Sequence, residues 1–157
     1  MNNTRTQRAF TVVSGLWVGS FITVGFLVVP VLFSTLGDRQ VAGMVSANLF
    51  KATALIGVAL SILLMLMANH LVRLGHQQFR FIRWTLLAML SCTVTAAFII
   101  IPWMNSLRDQ ALLAGLSVIE STNAILFNRL HGVSSTLFMI QSVLGLLLLW
   151  RATKNAD

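Results

Sequence analysis

The sequence predicts an all-α fold, a four-transmembrane-helix up-down-up-down bundle whose helices extend beyond the membrane on the outer side. Three observations predict it. Only 10% of the residues are charged and 57% are hydrophobic, whereas a soluble domain carries about 25% charged residues. Four stretches contain no charge, residues 9–37, 52–72, 84–107 and 130–150, and each reaches the roughly 20 residues that a hydrocarbon core requires. The runs lack the alternation of strands, and backbone groups in lipid must pair within their own segment, so each run is expected to be helical. At 157 residues the chain is one domain's worth, a single unit over 1–157.

The first run follows Arg5 and Arg8. Its apolar length exceeds the roughly 7–15 residues of a signal-peptide core and no A-x-A site follows, so an uncleaved helix over about 7–36 is expected. Pro30 removes the amide that would bond to Phe26 and loosens that turn. Gly37-Asp38 reads as a left-handed helix stop followed by an N-cap. A second helix then runs over 39–74 and a third over 79–113, joined by a short turn at 75–78 and loosened at Pro102. Gly115 reads as a stop. Ser117-Val118-Ile119-Glu120 matches a capping box, which starts the fourth helix at 118 and carries it to 152.

Four spans place both termini and the middle turn on one side. That side holds Arg5, Arg8, Arg73, Arg80, Arg83, Arg151 and Lys154 with one acid, Asp157. The other side holds Arg39, Lys51, Arg108 and Arg129 with Asp38, Asp109 and Glu120. The positive-inside bias puts the termini in the cytoplasm of a bacterial inner-membrane protein. Trp84 and Trp150 fall at the inner interface and Trp103 at the outer one, where amphipathic rings settle. The net charge of +7 is spread over these flanks instead of forming one patch, which argues against nucleic acid as a partner. The expected partners are membrane lipids and either a second membrane subunit or a second copy.

Small residues recur at spacing four: Gly15 and Gly19 with Thr23 on the first helix, Thr53, Gly57 and Ser61 on the second. Such residues let helices approach closely in lipid, within the bundle or between copies. The two prolines are either ordinary transmembrane prolines or a device that splays the bundle into a cleft.

Polar candidates gather at the outer end. Arg39, Lys51, Asp109, Glu120, Arg129 and His131 are expected there, framing a polar cleft. Gln141 lies deeper on the stripe that His131, Ser134, Ser135, Ser142 and Gly145 share on the fourth helix. An amide at that depth must face protein or water, with Thr95 or Ser91 as bonding partners or a substrate path as the alternative. His131 could bond Glu120 or Asp109 as a pH-sensitive latch. No H-x-x-H, E-x-x-H or C-x-x-C spacing supports a metal, so a metal site would need His131 to converge with distant Met44, Met104, Glu120 or Asp109. Haem needs two histidines at one depth, whereas His70 and His131 differ by roughly 25 Å along the bundle, and His76 lies in the turn. The methionines suit gap-filling, and Cys92 is the sole cysteine, so no disulfide framework exists. No Walker loop, G-x-S-x-G elbow or dinucleotide turn appears. No catalytic, cofactor or metal residues are assigned, and non-enzymatic roles are favoured.

Several elements occur in a familiar order: Trp17-x-Gly19, Pro30-x-Leu32-Phe33, Arg39 with Ala42-Gly43, Ile101-Pro102, and Leu130-His131-x-x-Ser134. The chain thereby resembles the transmembrane protein 205-like family, also called domain of unknown function 4149, along nearly its whole length. The resemblance implies a four-helix membrane protein without an established activity and draws attention to Pro30, Phe33, Arg39, Gly43, Pro102 and His131. Three functional classes remain open, the first two being a binding or accessory module built on the outer polar cleft and a small transporter or exporter of a soft cation or amphipathic solute. A haem- or metal-binding protein is the third.

Overall fold

The computed structural model describes residues 2–154, with side chains from residue 4 onward; Asp157 lies outside the described residues. Its four long helices, spanning Thr4–Thr35, Arg39–Arg73, Phe79–Leu113 and Ala124–Lys154, are each long and apolar enough to cross a membrane. They form a ring in which each helix packs on its sequence neighbours and the first packs on the fourth. No strand occurs among the described residues.

The first and third helices share one irregularity. Each contains a wide π turn, Val24–Val28 and Ala96–Ile100, that ends just before a proline. Pro30 and Pro102 occupy the first turn of the segments that follow, Val29–Thr35 and Ile101–Leu113. Because proline has no amide to return to the carbonyl four residues back, the ladder shifts register. The Val29 amide donates to the Val24 carbonyl and the Ile101 amide to the Ala96 carbonyl. The prolines therefore insert a wide turn, the form in which single π bulges interrupt α-helices.

Caps explain most ends. Asp38 is extended at φ −99° and accepts from the amides of Gln40 (2.7 Å) and Val41 (3.4 Å). The first helix stops because Leu36 turns extended, at φ −82° and ψ 120°. Positive φ is confined to Gly75 and Gly115 among the described residues, so the expected left-handed stop at Gly37 is replaced by Leu36. The fourth helix starts at Ala124, six residues after the expected 118. The Ser117–Glu120 pair does form: the Ser117 amide and hydroxyl both donate to Glu120 Oε2, at 3.3 and 2.7 Å. It closes a turn in which Val118 is buried against the third and fourth helices. The helix begins instead after Asn123, whose carbonyl accepts the Phe127 amide.

The core divides in two. At the terminal end all four helices contribute, with Phe10, Trp17 and Phe21 from the first, Leu64 and Leu71 from the second, Phe79 to Met89 from the third and Leu148 from the fourth. Close approach there depends on missing side chains. A Cβ on Gly57 would stand 3.1 Å from Trp17 Nε1, and one on Gly145 would stand 3.0 Å from both Phe21 and Val18. Such backbone proximity holds helices together where lipid offers no hydrophobic drive. Gly15 faces Leu149, whereas nothing among the described residues lies within 4 Å of a Cβ placed on Gly19.

At the far end the second core consists of Ile100, Met104, Leu107, Ala111, Val118 and Leu130, all from the third helix, the following loop and the fourth helix. The first helix buries no residue beyond its π turn; its outer segment packs on the second helix with no comparable packing on the fourth. The boundary between the halves is the ring of Phe138, which contacts Phe21, Phe26 and Phe50 at centroid distances of 6.2, 5.5 and 5.7 Å. That ring occupies the space a side chain on Gly25 would need.

Candidate functional site

The register imposed by Pro102 turns Met104, Leu107, Arg108 and Ala111 to one buried stripe of the third helix. Three of these are apolar and pack into the second core. Arg108 shares their burial, with 9% of its surface exposed. Its Nη1 donates to Asn105 Oδ1 at 3.0 Å, and its guanidinium carbon lies 5.6 Å from the centre of the Phe127 ring. Toward the second helix, Nη2 lies 3.8 Å from the position of a Cβ on Gly43. The helix presents only small residues there: Ala42 and Ser46 are buried on either side of Gly43. Among the described residues no carboxylate forms a salt bridge with Arg108. A cation so placed costs free energy unless something anionic or polar meets it.

One helical turn along from Ala42, Ser46 is 5% exposed and its Oγ has no hydrogen-bond partner. Several hydroxyls buried within the spans donate to the carbonyl four residues back, as Ser61 (2.7 Å), Thr93 (2.9 Å) and Ser142 (2.9 Å) do, whereas Ser14, in the terminal-end core, also lacks a partner. Ser46 is thus a free polar atom on the same face as the glycine beside Arg108.

A groove of about 430 Å³ opens on the outside of the second and third helices, with Lys51, Asn105, Ser106, Asp109 and Gln110 at its polar rim and Pro102 on its wall. The structure thus brings Lys51 and Asp109 to one groove, and Asn105 links that groove to Arg108. A second hollow, about 320 Å³, lies between the end of the third helix and the loop, with Gln110, Ser121 and Asn123 in its wall.

The remaining sequence candidates lie elsewhere. Arg39 is exposed on the first turn of the second helix, and Arg129 and His131 are exposed on the fourth; none lines either hollow. Glu120 is held by Ser117, whose hydroxyl first and amide second push its carboxyl below the usual glutamate range. Gln141 is half-buried and has no side-chain hydrogen bond among the described residues; Ser91 instead donates to the Leu87 carbonyl. Met104 is a core residue of the far end, which explains it by packing. His76 lies in the turn at the terminal end, its Nδ1 3.3 Å from Gln7 Nε2.

Sequence reasoning passed over Arg108, Asn105 and Ser46. A signal existed for the first. Arg108 falls on the 104, 107, 111 periodicity that marks the buried face of its helix, and the Ala42-Gly43 pair leaves room for a large neighbour. Nothing in the sequence alone indicates that Ser46 lacks a partner.

Four membrane-length helices, closed at one end and opened at the other around a buried arginine, define an integral membrane protein of the multi-pass helical class. Residues 12–112 match the family model described as Domain of unknown function (DUF4149), and the chain belongs to that family. The matched stretch contains Gly43, Ser46 and Arg108. Comparisons with curated proteins and with solved structures gave no match.

Proposed function

We propose that the protein is a non-enzymatic binding or accessory module of a bacterial inner membrane, with its binding end opposite the termini. The observation that carries this reading is the buried cation Arg108, which forms no salt bridge among the described residues, is attracted electrostatically by the adjacent Asp109 and is joined through Asn105 to the Lys51–Asp109 groove. Polar and ionisable groups at membrane depth mark function by default because they are expensive to keep. The excess of bases beside the termini supports a cytoplasmic location for both ends, so that the groove faces the periplasm. Assignment to the transmembrane protein 205-like members is supported by Trp17, Pro30 and Gly43, whose packing or backbone roles explain three of the shared elements.

Thermal unfolding in nanodiscs of neutral lipid tests the reading against a panel of soluble and amphipathic anions and cations. At least one compound is expected to raise the melting temperature of the wild type and to lose that effect in Lys51→Gln or Asp109→Asn. Arg5→Gln, at the opposite end, is expected to behave as wild type. A panel that shifts all four proteins alike removes the proposed binding end.

Transport of a soft cation or amphipathic solute is the second reading, supported by the unpaired amide of Gln141 within the fourth span. Flux into proteoliposomes that is identical for wild type and Gln141→Leu eliminates it.

A further inference from the structure

We infer that Arg108 and Ser46 form the headgroup site for an anionic membrane lipid, which enters sideways between the first and fourth helices. The inference deepens the binding reading above and rests on it.

Charge comes first. Arg108 is nine-tenths buried, and its one side-chain hydrogen bond among the described residues, to Asn105, uses one of five guanidinium N–H groups. The Phe127 face adds an aromatic contact, and the adjacent Asp109 attracts the cation electrostatically without a hydrogen bond or salt bridge, so the remaining N–H groups are free to meet an anion. Planar guanidinium is the side chain best suited to phosphate, which it meets with two parallel bonds. Ser46 supplies the second observation. Its buried hydroxyl forgoes the carbonyl bond that Ser61 and Thr93 make; unlike Ser14, the other buried hydroxyl without a partner, it lies one turn from the glycine that faces Arg108 and can donate to a phosphate oxygen.

Depth then selects a lipid. Trp103, about half exposed, is the aromatic residue that belongs at the membrane interface. Arg108 lies five residues farther along the same helix, roughly 7 Å beyond it, at the level of phosphates. The route is lateral. Beyond the Phe26–Phe138 contact the first helix buries nothing among the described residues and packs at most sparsely on the fourth. Phe26, half exposed and against the Phe138 ring of the fourth helix, marks the seam, and the outer segment of the first helix that follows it exposes further apolar side chains, Val31 and Phe33, to an acyl chain. A lipid seated so would replace the missing fourth wall of the far-end core and neutralise its cation.

The test is lipid selection by the intact protein. Wild type and variants are purified in neutral detergent, and retention of phosphatidylglycerol against phosphatidylcholine is measured by native mass spectrometry. Thermal unfolding is followed in vesicles of phosphatidylcholine alone and in equal mixtures of the two lipids. Wild type is expected to prefer phosphatidylglycerol on the order of tenfold, the scale of one lost charge-assisted contact. Arg108→Gln is expected to abolish the preference, with Arg108→Lys intermediate and the exposed-site control Arg129→Gln unchanged. Equal losses in Arg108→Gln and Arg129→Gln overturn the inference, as does protection by inorganic phosphate equal to that of the lipid. If Arg108→Gln does not fold, Ser46→Ala decides: a fall of about threefold in preference supports the site, and an unchanged preference refutes it. Lys51→Gln is scored only for its response to the soluble compounds, which separates failure of the groove from failure of the lipid site. If Lys51→Gln alone alters ligand response, the binding end survives and the lipid site does not.

Discussion

The two ends of this bundle are built from the same four helices but solve different problems. At the terminal end every helix meets its neighbours over glycines or fully buried side chains, with Trp17 against Gly57 and Val18 against Gly145. At the far end the first helix withdraws after its π turn, and two helices and a loop remain to enclose the core. In lipid, helices associate through packing and hydrogen bonds because the solvent is as apolar as the protein. An end that is fully packed is therefore stable and has no space for a ligand. An end that leaves contacts unmade keeps surface, a buried cation and a free hydroxyl for something else. The wide turns before Pro30 and Pro102 lie where one regime gives way to the other.

The comparison can be broken most directly at Trp17, which is 1% exposed and touches the second helix. Trp17→Ala is expected to cost about 3 kcal/mol, chiefly from the cavity left among four helices that cannot all collapse into it. Reversible unfolding in mixed micelles measures this, and a cost below that of far-end truncations contradicts the division. A matched pair sharpens the same point. Leu64, 0% exposed, belongs to the four-helix core and Leu130, 7% exposed, to the smaller one. Leu64→Ala is expected to lose about 3 kcal/mol and Leu130→Ala about 2 kcal/mol, because a core bounded by fewer helices relaxes around a void more readily. Equal losses would mean that the far end is as rigidly closed as the other. A smaller effect is expected at the start of the second helix: Asp38→Ala removes the acceptor of the Gln40 and Val41 amides and should cost about 1 kcal/mol, read as faster hydrogen exchange in that first turn.

How much of this was legible follows the same division. Lipid as solvent leaves a coarse signature, long uncharged runs, and the four spans follow from it with bounds that agree at 39, 79 and 113 and differ by a few residues or fewer elsewhere, apart from the start of the fourth helix. Local caps were equally readable where one residue completes them, as the Asp38 side chain and the left-handed Gly115 backbone do. The Ser117–Glu120 pair shows the limit. Its bonds form, but burial of Val118 decides that they close a turn, and burial is a tertiary fact. The candidate site depends still more on tertiary facts. The chemistry-bearing residue types at the far end were visible, yet which of them turn inward depends on the helix register after Pro102. Arg108 and its neighbour Asp109 differ by one position, and one is buried while the other is exposed at the rim of a groove.

The smallest effect expected is also the one that isolates the loop between the two long helices of the far end. The Ser117 hydroxyl and amide stabilise the ionised Glu120 carboxylate, so its proton affinity is lower in the folded protein than in the unfolded chain. A depressed carboxyl contributes stability that is complete above the unfolded glutamate range and disappears as pH falls through the folded value. Glu120 is fully exposed to solvent, which screens the interaction, so the consequence is local. Acidification below the ordinary glutamate range should lower the protection of the 117–123 amides, taken relative to the intrinsic exchange rate at each pH, while protection in the four-helix core stays constant. Glu120→Gln should show the lower protection already at neutral pH and no further acid dependence of it in that loop. Protection that falls in both halves together would show that the far end unfolds with the terminal end as one unit, and the contrast between a closed half and an open half would then be one of shape without a difference in stability.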